Sequence, residues 1–166
     1  MLSVLRRVVA VFALAGSAIA LGTGVMVVIS ITLRALITKP IPGDVELTQF
    51  GVALAISLAL PWCQMHGSNI IVDFFTQRLR ERANRWLDGI GCLLIAVMCA
   101  LLAWRTGVGA VAVREAHEAS MILDLPMWWV YASLAPGLAL TAVVALVQAA
   151  MYLRGDDTGA LTGGRA

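Results

Sequence analysis

Four stretches of this chain, about residues 8–33, 45–63, 86–113 and 127–153, are apolar for long enough to cross a bilayer. The hydrocarbon layer is about 30 Å thick and takes about 20 helical residues at about 1.5 Å each. Backbone N–H and C=O groups in that layer have no water to bond, so each stretch is predicted to be an α-helix that satisfies them internally. Four spans take up most of the 166 residues and leave no room for a soluble domain. The fold class that follows is an all-α membrane protein: one four-helix membrane domain over residues 1–153, then a disordered cytoplasmic tail over 154–166, rich in Gly and Asp. A chain that is 60% hydrophobic and only 13% charged fits this class and not an ordinary soluble domain. The net charge of +2 is scattered over loops, which leaves no nucleic-acid footprint.

Arg6 and Arg7 ahead of an apolar run, with Ala18, Ile19 and Ala20 following, raise the alternative of a cleaved secretory signal. The run continues to Leu33, too long for a signal core and long enough to span. Basic residues then set the orientation. With the N-terminus inside, the inner segments carry eight (Arg6, Arg7, Arg78, Arg80, Arg82, Arg85, Arg154 and Arg165) and the outer loops three (Arg34, Lys39 and Arg114), which predicts both termini in the cytoplasm. Aromatic residues agree, since Trp62, Trp86 and Tyr152 fall at the inner interface and Trp104, Trp128, Trp129 and Tyr131 at or near the outer one.

The connections carry helix-breaking and helix-starting signals. "TKPIPGDVEL" offers two prolines and a glycine, then Asp44 as a cap and Glu46 in the first turn, where the positive end of the helix dipole favours an acid. "LDLPMWW" repeats the pattern, with Asp124 as a cap, Pro126 in the first turn and two tryptophans as anchors. Pro61 and Pro136 are predicted to kink the second and fourth spans. Small residues four apart mark helix-packing faces: Gly16, Ala20 and Gly24; Gly51, Ala55 and Ala59; Ser133, Gly137, Thr141, Ala145 and Ala149. There is no internal repeat.

A catalytic or ion-coupling site in lipid would place Asp, Glu, His or Lys well inside a span, and the central regions hold none. The expectation is therefore no enzyme, no cofactor and no metal. A small multidrug-type carrier would need an intramembrane acid, and a haem-bearing anchor would need histidines inside the bundle, whereas His66 and His117 lie in or beside connections. Cys63, Cys92 and Cys99 lack metal spacing; Cys92 and Cys99 share a face of the third span and read as small hydrophobes. Arg105, some 20 residues past Arg85, either snorkels to the outer surface or meets a partner protein at that depth.

Residues 70–85 are too short and too charged to span, yet sort into faces. Ile71, Phe75 and Leu79 share one side; Asp73, Gln77, Arg80 and Asn84 share the other. The segment is predicted to be an amphipathic helix lying in the cytoplasmic interface, with Arg78, Arg82 and Arg85 toward the headgroups and Ser68 or Asn69 as its cap. Asp73 then either steadies the helix start alone, or also accepts hydrogen bonds that fix this elbow against the chain or a partner.

The order of a first span, "PIPGDVEL", a second span ending in "QMHGSN", then "IIVDFF", a third span, and "ILDLPMWWVY" at the fourth resembles the small permease subunit of tripartite ATP-independent periplasmic (TRAP) transporters. The resemblance covers about residues 8–153. It rests on Glu46-Leu47 at the start of span two, Gly67, Ile70, Val72 and Asp73 in the turn after it, and Leu123, Leu125, Pro126 and Trp128 at the start of span four. Asn69 stands where the family often has histidine, and Val45 where many members have a second glutamate. The resemblance implies a non-enzymatic subunit in a bacterial inner membrane, paired with a large permease and a periplasmic substrate-binding protein for sodium-driven uptake of organic acid-type solutes. The candidate partner-contact or structural residues on this reading are Glu46, Asn69, Asp73, Arg105, Pro126 and Trp128, with membrane lipid around them. The alternative is the membrane anchor of a respiratory or other multisubunit complex.

Overall fold

The computed structural model describes residues 2–37, 41–66 and 81–154. Within them lie four helices: α1 (Leu2–Ile37), α2 (Asp44–Met65), α3 (Glu81–Glu115) and α4 (Trp128–Arg154). Each contains one of the four apolar runs and is long and apolar enough to cross a membrane. α1 and α3, at 36 and 35 residues, outreach the hydrocarbon layer; at 22 residues α2 comes to about 33 Å and just matches it. The fourth helix ends at Arg154, one residue into the segment expected to be a disordered tail. The rest of that tail, and the greater part of the expected interfacial helix, lie outside the described residues; the stretch 81–85 of that helix belongs instead to the start of α3.

The extensive helix contacts are α1 with α2, α2 with α4, and α4 with α3. α2 and α4 form the centre of the bundle, and run parallel because both begin at the end where the α1–α2 and α3–α4 connections lie. Most large apolar side chains point outward, as a lipid or protein environment around the bundle requires, and α1 and α3 carry the longest exposed rows. At the other end of the bundle Val9, Met65 and Val144 are fully buried together, with Leu5, Leu140, Val147 and Met151 packed around them, so α1, α2 and α4 converge there.

Small residues decide where the helices touch. A Cβ on Gly16 would lie 2.9 Å from the Ala55 carbonyl oxygen and 3.3 Å from the Ala59 amide nitrogen, so α1 presses directly on the backbone of α2. Gly51 takes the Thr23 side chain in the same seam. The expected α1 face of Gly16, Ala20 and Gly24 is corrected here: Ala20 is exposed and Gly24 faces open space. The reason is helical phase. Residues four apart advance by about 40° beyond a full turn, so two such steps carry the stripe about 80° off the contact, whereas the seven-residue step from Gly16 to Thr23 drifts by only about 20°. On α4, Gly137, Thr141, Ala145 and Ala149 are all buried, in keeping with the expected packing face.

Candidate functional site

The connection end of the bundle is organised by two carboxylates at the start of α2. Gly43 precedes the helix with φ of +71°, a left-handed conformation that glycine adopts without strain, and its missing side chain leaves room for Leu123 from the α3–α4 connection. The chain's own cap differs from the expected one. Gly43 is the N-cap, without any side-chain cap bond, and Asp44 is already the first helical residue. One Asp44 oxygen accepts from the Val45 amide at 2.9 Å, while the other accepts from Ser30 Oγ at 2.6 Å and from Arg34 at 3.3 Å. Asp44 thus ties α2 back to the end of α1.

Glu46 reaches the opposite way. Its Oε2 accepts from Ser120 Oγ at 2.6 Å and its Oε1 from the Ile122 amide at 3.2 Å. Ser120 is itself buried, and its hydroxyl oxygen also accepts from the Leu123 amide at 3.3 Å. The receiving segment is a small hairpin, closed by Ser120 N–H to the Leu125 carbonyl at 2.9 Å and Met127 N–H to the Glu118 carbonyl at 3.1 Å, with Ala119 and Pro126 bridged. His117 and Asp124 turn the chain with φ of 51° and 50°. Two expectations are corrected: Asp124 is a turn residue and not the cap of α4, and Pro126 lies in the bridge ahead of the helix rather than in its first turn. Hairpin hydrogen bonds took the place of helix-start geometry because the backbone at 118–127 pairs with itself.

Trp128 opens α4, with Arg114 over its ring at 5.2 Å and the Trp129 ring tilted against it, centroids 5.1 Å apart. The hairpin has two unlike flanks. A cleft of about 710 Å³ is edged by Arg114, His117, Glu118, Asp124 and Trp128. A groove of about 380 Å³ beside it is apolar, formed by Phe50, Leu125, Pro126, Trp129 and Val130. Arg105 is exposed on α3, ten residues before its end at Glu115 and so about 15 Å from this surface. Asn69 and Asp73 lie outside the described residues. The structure therefore brings Glu46 onto the hairpin that leads through Pro126 to Trp128, and leaves Arg105 apart from them.

A second polar cluster, at the far end of α2, was missed by sequence reasoning. Gln64 and Gln148 are buried against each other: Gln64 Nε2 donates to Gln148 Oε1 at 2.9 Å, and Gln148 Nε2 donates to the Gln64 and Met65 carbonyls at 2.8 and 3.2 Å. Cys92 Sγ of α3 lies 3.8 Å from the same Gln64 nitrogen. The available signal was a glutamine at the end of one apolar run, Gln64, and another inside a second, Gln148. Midway along α2, Ser57 Oγ donates to the Leu134 carbonyl at 2.8 Å. His66 lies tilted against Trp62, ring centroids 4.2 Å apart, on the exposed side of the end of α2, and His117 Nδ1 lies 3.0 Å from the Glu115 carbonyl oxygen, so each is engaged at the surface. Among the described residues no three His, Cys, Asp or Glu side chains gather as a metal site.

What this arrangement can do chemically is hold helices in register, since its polar groups are spent on one another. The family model for tripartite ATP-independent periplasmic transporters, DctQ component, matches residues 23–155. No curated protein and no solved structure matches the chain. The matched region takes in the start of α2, the hairpin, and both glutamines.

Proposed function

Because the chain belongs to the DctQ component family of the tripartite ATP-independent periplasmic transporters, and is thus a small membrane subunit of such a transporter, we propose that it serves as a scaffold for the large permease. In this role it carries no solute itself. The large subunit takes up an organic acid-type solute, delivered by a periplasmic binding protein, on a sodium gradient. The observation that carries the reading is where the polar side chains go. Ser57, Gln64 and Gln148 are hydrogen-bonded across helices of this chain and Glu46 to the hairpin, and Arg105, ten residues from the end of α3, is the charged residue farthest from the end of any described span. A transport path needs polar groups facing a cavity or a broken helix, and a bundle that has bonded them internally is suited to support such a path instead.

The same reading places the chain in the bacterial inner membrane with both termini in the cytoplasm, on the eight-to-three excess of basic residues. The hairpin of Ser120 and Pro126 then faces the periplasm, and Asp73 the cytoplasmic side. Glu46, Pro126 and Trp128 shape the periplasmic end; Asn69, Asp73 and Arg105 are the proposed contacts with the large subunit or lipid. The role is non-enzymatic, and the family membership favours it over a respiratory membrane anchor.

Affinity purification of the tagged chain from membranes that also express the large permease tests the assignment. The large permease is expected to remain bound through detergent extraction, and a thiol introduced at Glu118 is expected to react with an impermeant reagent from the periplasmic side. Purification with a soluble oxidoreductase in place of the permease would reinstate the anchor, and labelling of Glu118→Cys only from the cytoplasm would invert the topology.

A further inference from the structure

We propose that the tip of the α3–α4 hairpin, Met121 and Ile122, is a wedge set into the lipid headgroup layer at the connection end of the bundle, and that the apolar groove beside it takes the upper part of a phospholipid acyl chain. A connection in water seldom turns a cluster of large apolar side chains outward, yet Met121 is 98% and Ile122 61% exposed. Their depth follows from what holds their neighbours. Glu46 accepts from Ser120 Oγ and from the Ile122 amide, and Leu123 fills the space left by Gly43, so the tip is fastened to the first turn of α2 and the residue before it. Because the 22 residues of α2 just match the hydrocarbon layer, that turn stands at the edge of the layer. The exposed Arg34, paired with Asp44 at the same level, marks where the headgroups begin.

The exposed apolar side chains here gather at one depth. Val45 opens α2, Met121, Ile122 and Leu125 belong to the hairpin, and Trp129 lies at the start of α4. A helix of a partner protein would be met by a stripe running along an axis, whereas a lipid boundary acts on whatever lies at its own depth and favours tryptophan there. The groove of about 380 Å³ opens at this level, and Phe50, six residues past Asp44, carries its lining about 9 Å into the hydrocarbon layer. It holds no charged side chain. Arg114, Glu118 and Asp124 edge the cleft on the other flank, so the hairpin has an apolar side for lipid and a charged side for water. The Ile122 and Leu123 amides are already bonded, to Glu46 and to Ser120 Oγ, and cost nothing further on leaving water.

Photocrosslinking of the complete chain in phosphatidylethanolamine–phosphatidylglycerol nanodiscs, alone and with the large permease bound, tests this. The photoreactive amino acid p-benzoylphenylalanine replaces Met121, whose exposed side chain leaves the fold undisturbed, and in a second variant Glu118 as the water-side reference. Illumination is expected to add the mass of one phospholipid severalfold more often at Met121 than at Glu118, and equally well with the permease present. Equal lipid addition at the two positions overturns the wedge, and so does an adduct at Met121 that passes from lipid to the permease once the permease is bound. For the groove, phospholipids brominated in the upper part of the acyl chain are expected to quench the share of tryptophan emission that Trp129→Phe removes. No quenching of that share overturns the acyl-chain assignment. A chain that fails to retain the permease would defeat the scaffold role and leave the lipid result standing.

Discussion

Gly137→Ala is expected to be among the most damaging substitutions in the chain, costing about 3 kcal/mol and forcing α2 and α4 apart. A Cβ at this position would overlap both the carbonyl oxygen and the Oγ of Ser57 and lie 2.7 Å from the Ser57 carbonyl carbon. Two of those three atoms are backbone, so no rotamer change makes room. Ser57 is 3% exposed and its hydroxyl is engaged with Leu134, which fixes the neighbouring surface further. Ser57→Ala alone removes one neutral hydrogen bond and should cost about 1 kcal/mol. Added to Gly137→Ala it should rescue little, because the carbonyl stays in place. Unfolding in detergent, followed as loss of helicity with rising dodecyl sulfate, measures all three. Wild-type stability of Gly137→Ala would mean that α2 and α4 do not approach as closely as Ser57 and Gly137 do here.

Glu46→Ala should cost about 2 to 3 kcal/mol, since a carboxylate receiving two bonds from the hairpin is lost and the Ser120 hydroxyl and Ile122 amide are left to find other partners. Glu46→Gln keeps one acceptor for the Ile122 amide and offers its own N–H to Ser120, so its loss should be about 1 kcal/mol. In a double-mutant cycle with Ser120→Ala, the coupling should be about 1 kcal/mol, because the two groups share one bond. The hairpin's backbone closure, through Leu125 and Glu118, is independent of Glu46. Exchange of the Ser120 and Met127 amides should therefore stay slow in Glu46→Ala while the bundle as a whole loses stability. Equal stability of Glu46→Ala and wild type, with no coupling to Ser120, would remove Glu46 as the link between α2 and the hairpin.

Length and hydropathy made the four helices legible, since a run of about 20 apolar residues has few alternatives in a lipid phase. The glycines were legible as packing residues but not their partners. Gly16, Gly51 and Gly137 all sit in seams, yet which stripe continued along α1 depended on helical phase, and Thr23 completed the contact where Gly24 had been expected. Glu46 was legible as an acid in the first turn of a helix. Its real partners, Ser120 and Ile122, are some 75 residues away and reach it only because the α3–α4 connection folds into a hairpin over α2. Pro126 and Asp124 looked like helix-start residues because Asp and Pro serve that role as readily as a turn; the backbone pairing of 118–127 decided between them. Gln64 and Gln148 were hidden by chemistry: a neutral amide raises little alarm in or beside an apolar run, and its importance appears only when both ends of the bond are buried.

Uptake by proteoliposomes is the most direct test of the scaffold role. Vesicles with a sodium gradient and the periplasmic binding protein would hold either the large permease alone, this chain alone, or both. The account predicts solute accumulation when both are present and none with this chain alone, because Glu46, Ser57, Gln64 and Gln148 are bonded within the chain. Sodium-dependent accumulation by this chain without the large permease would contradict it.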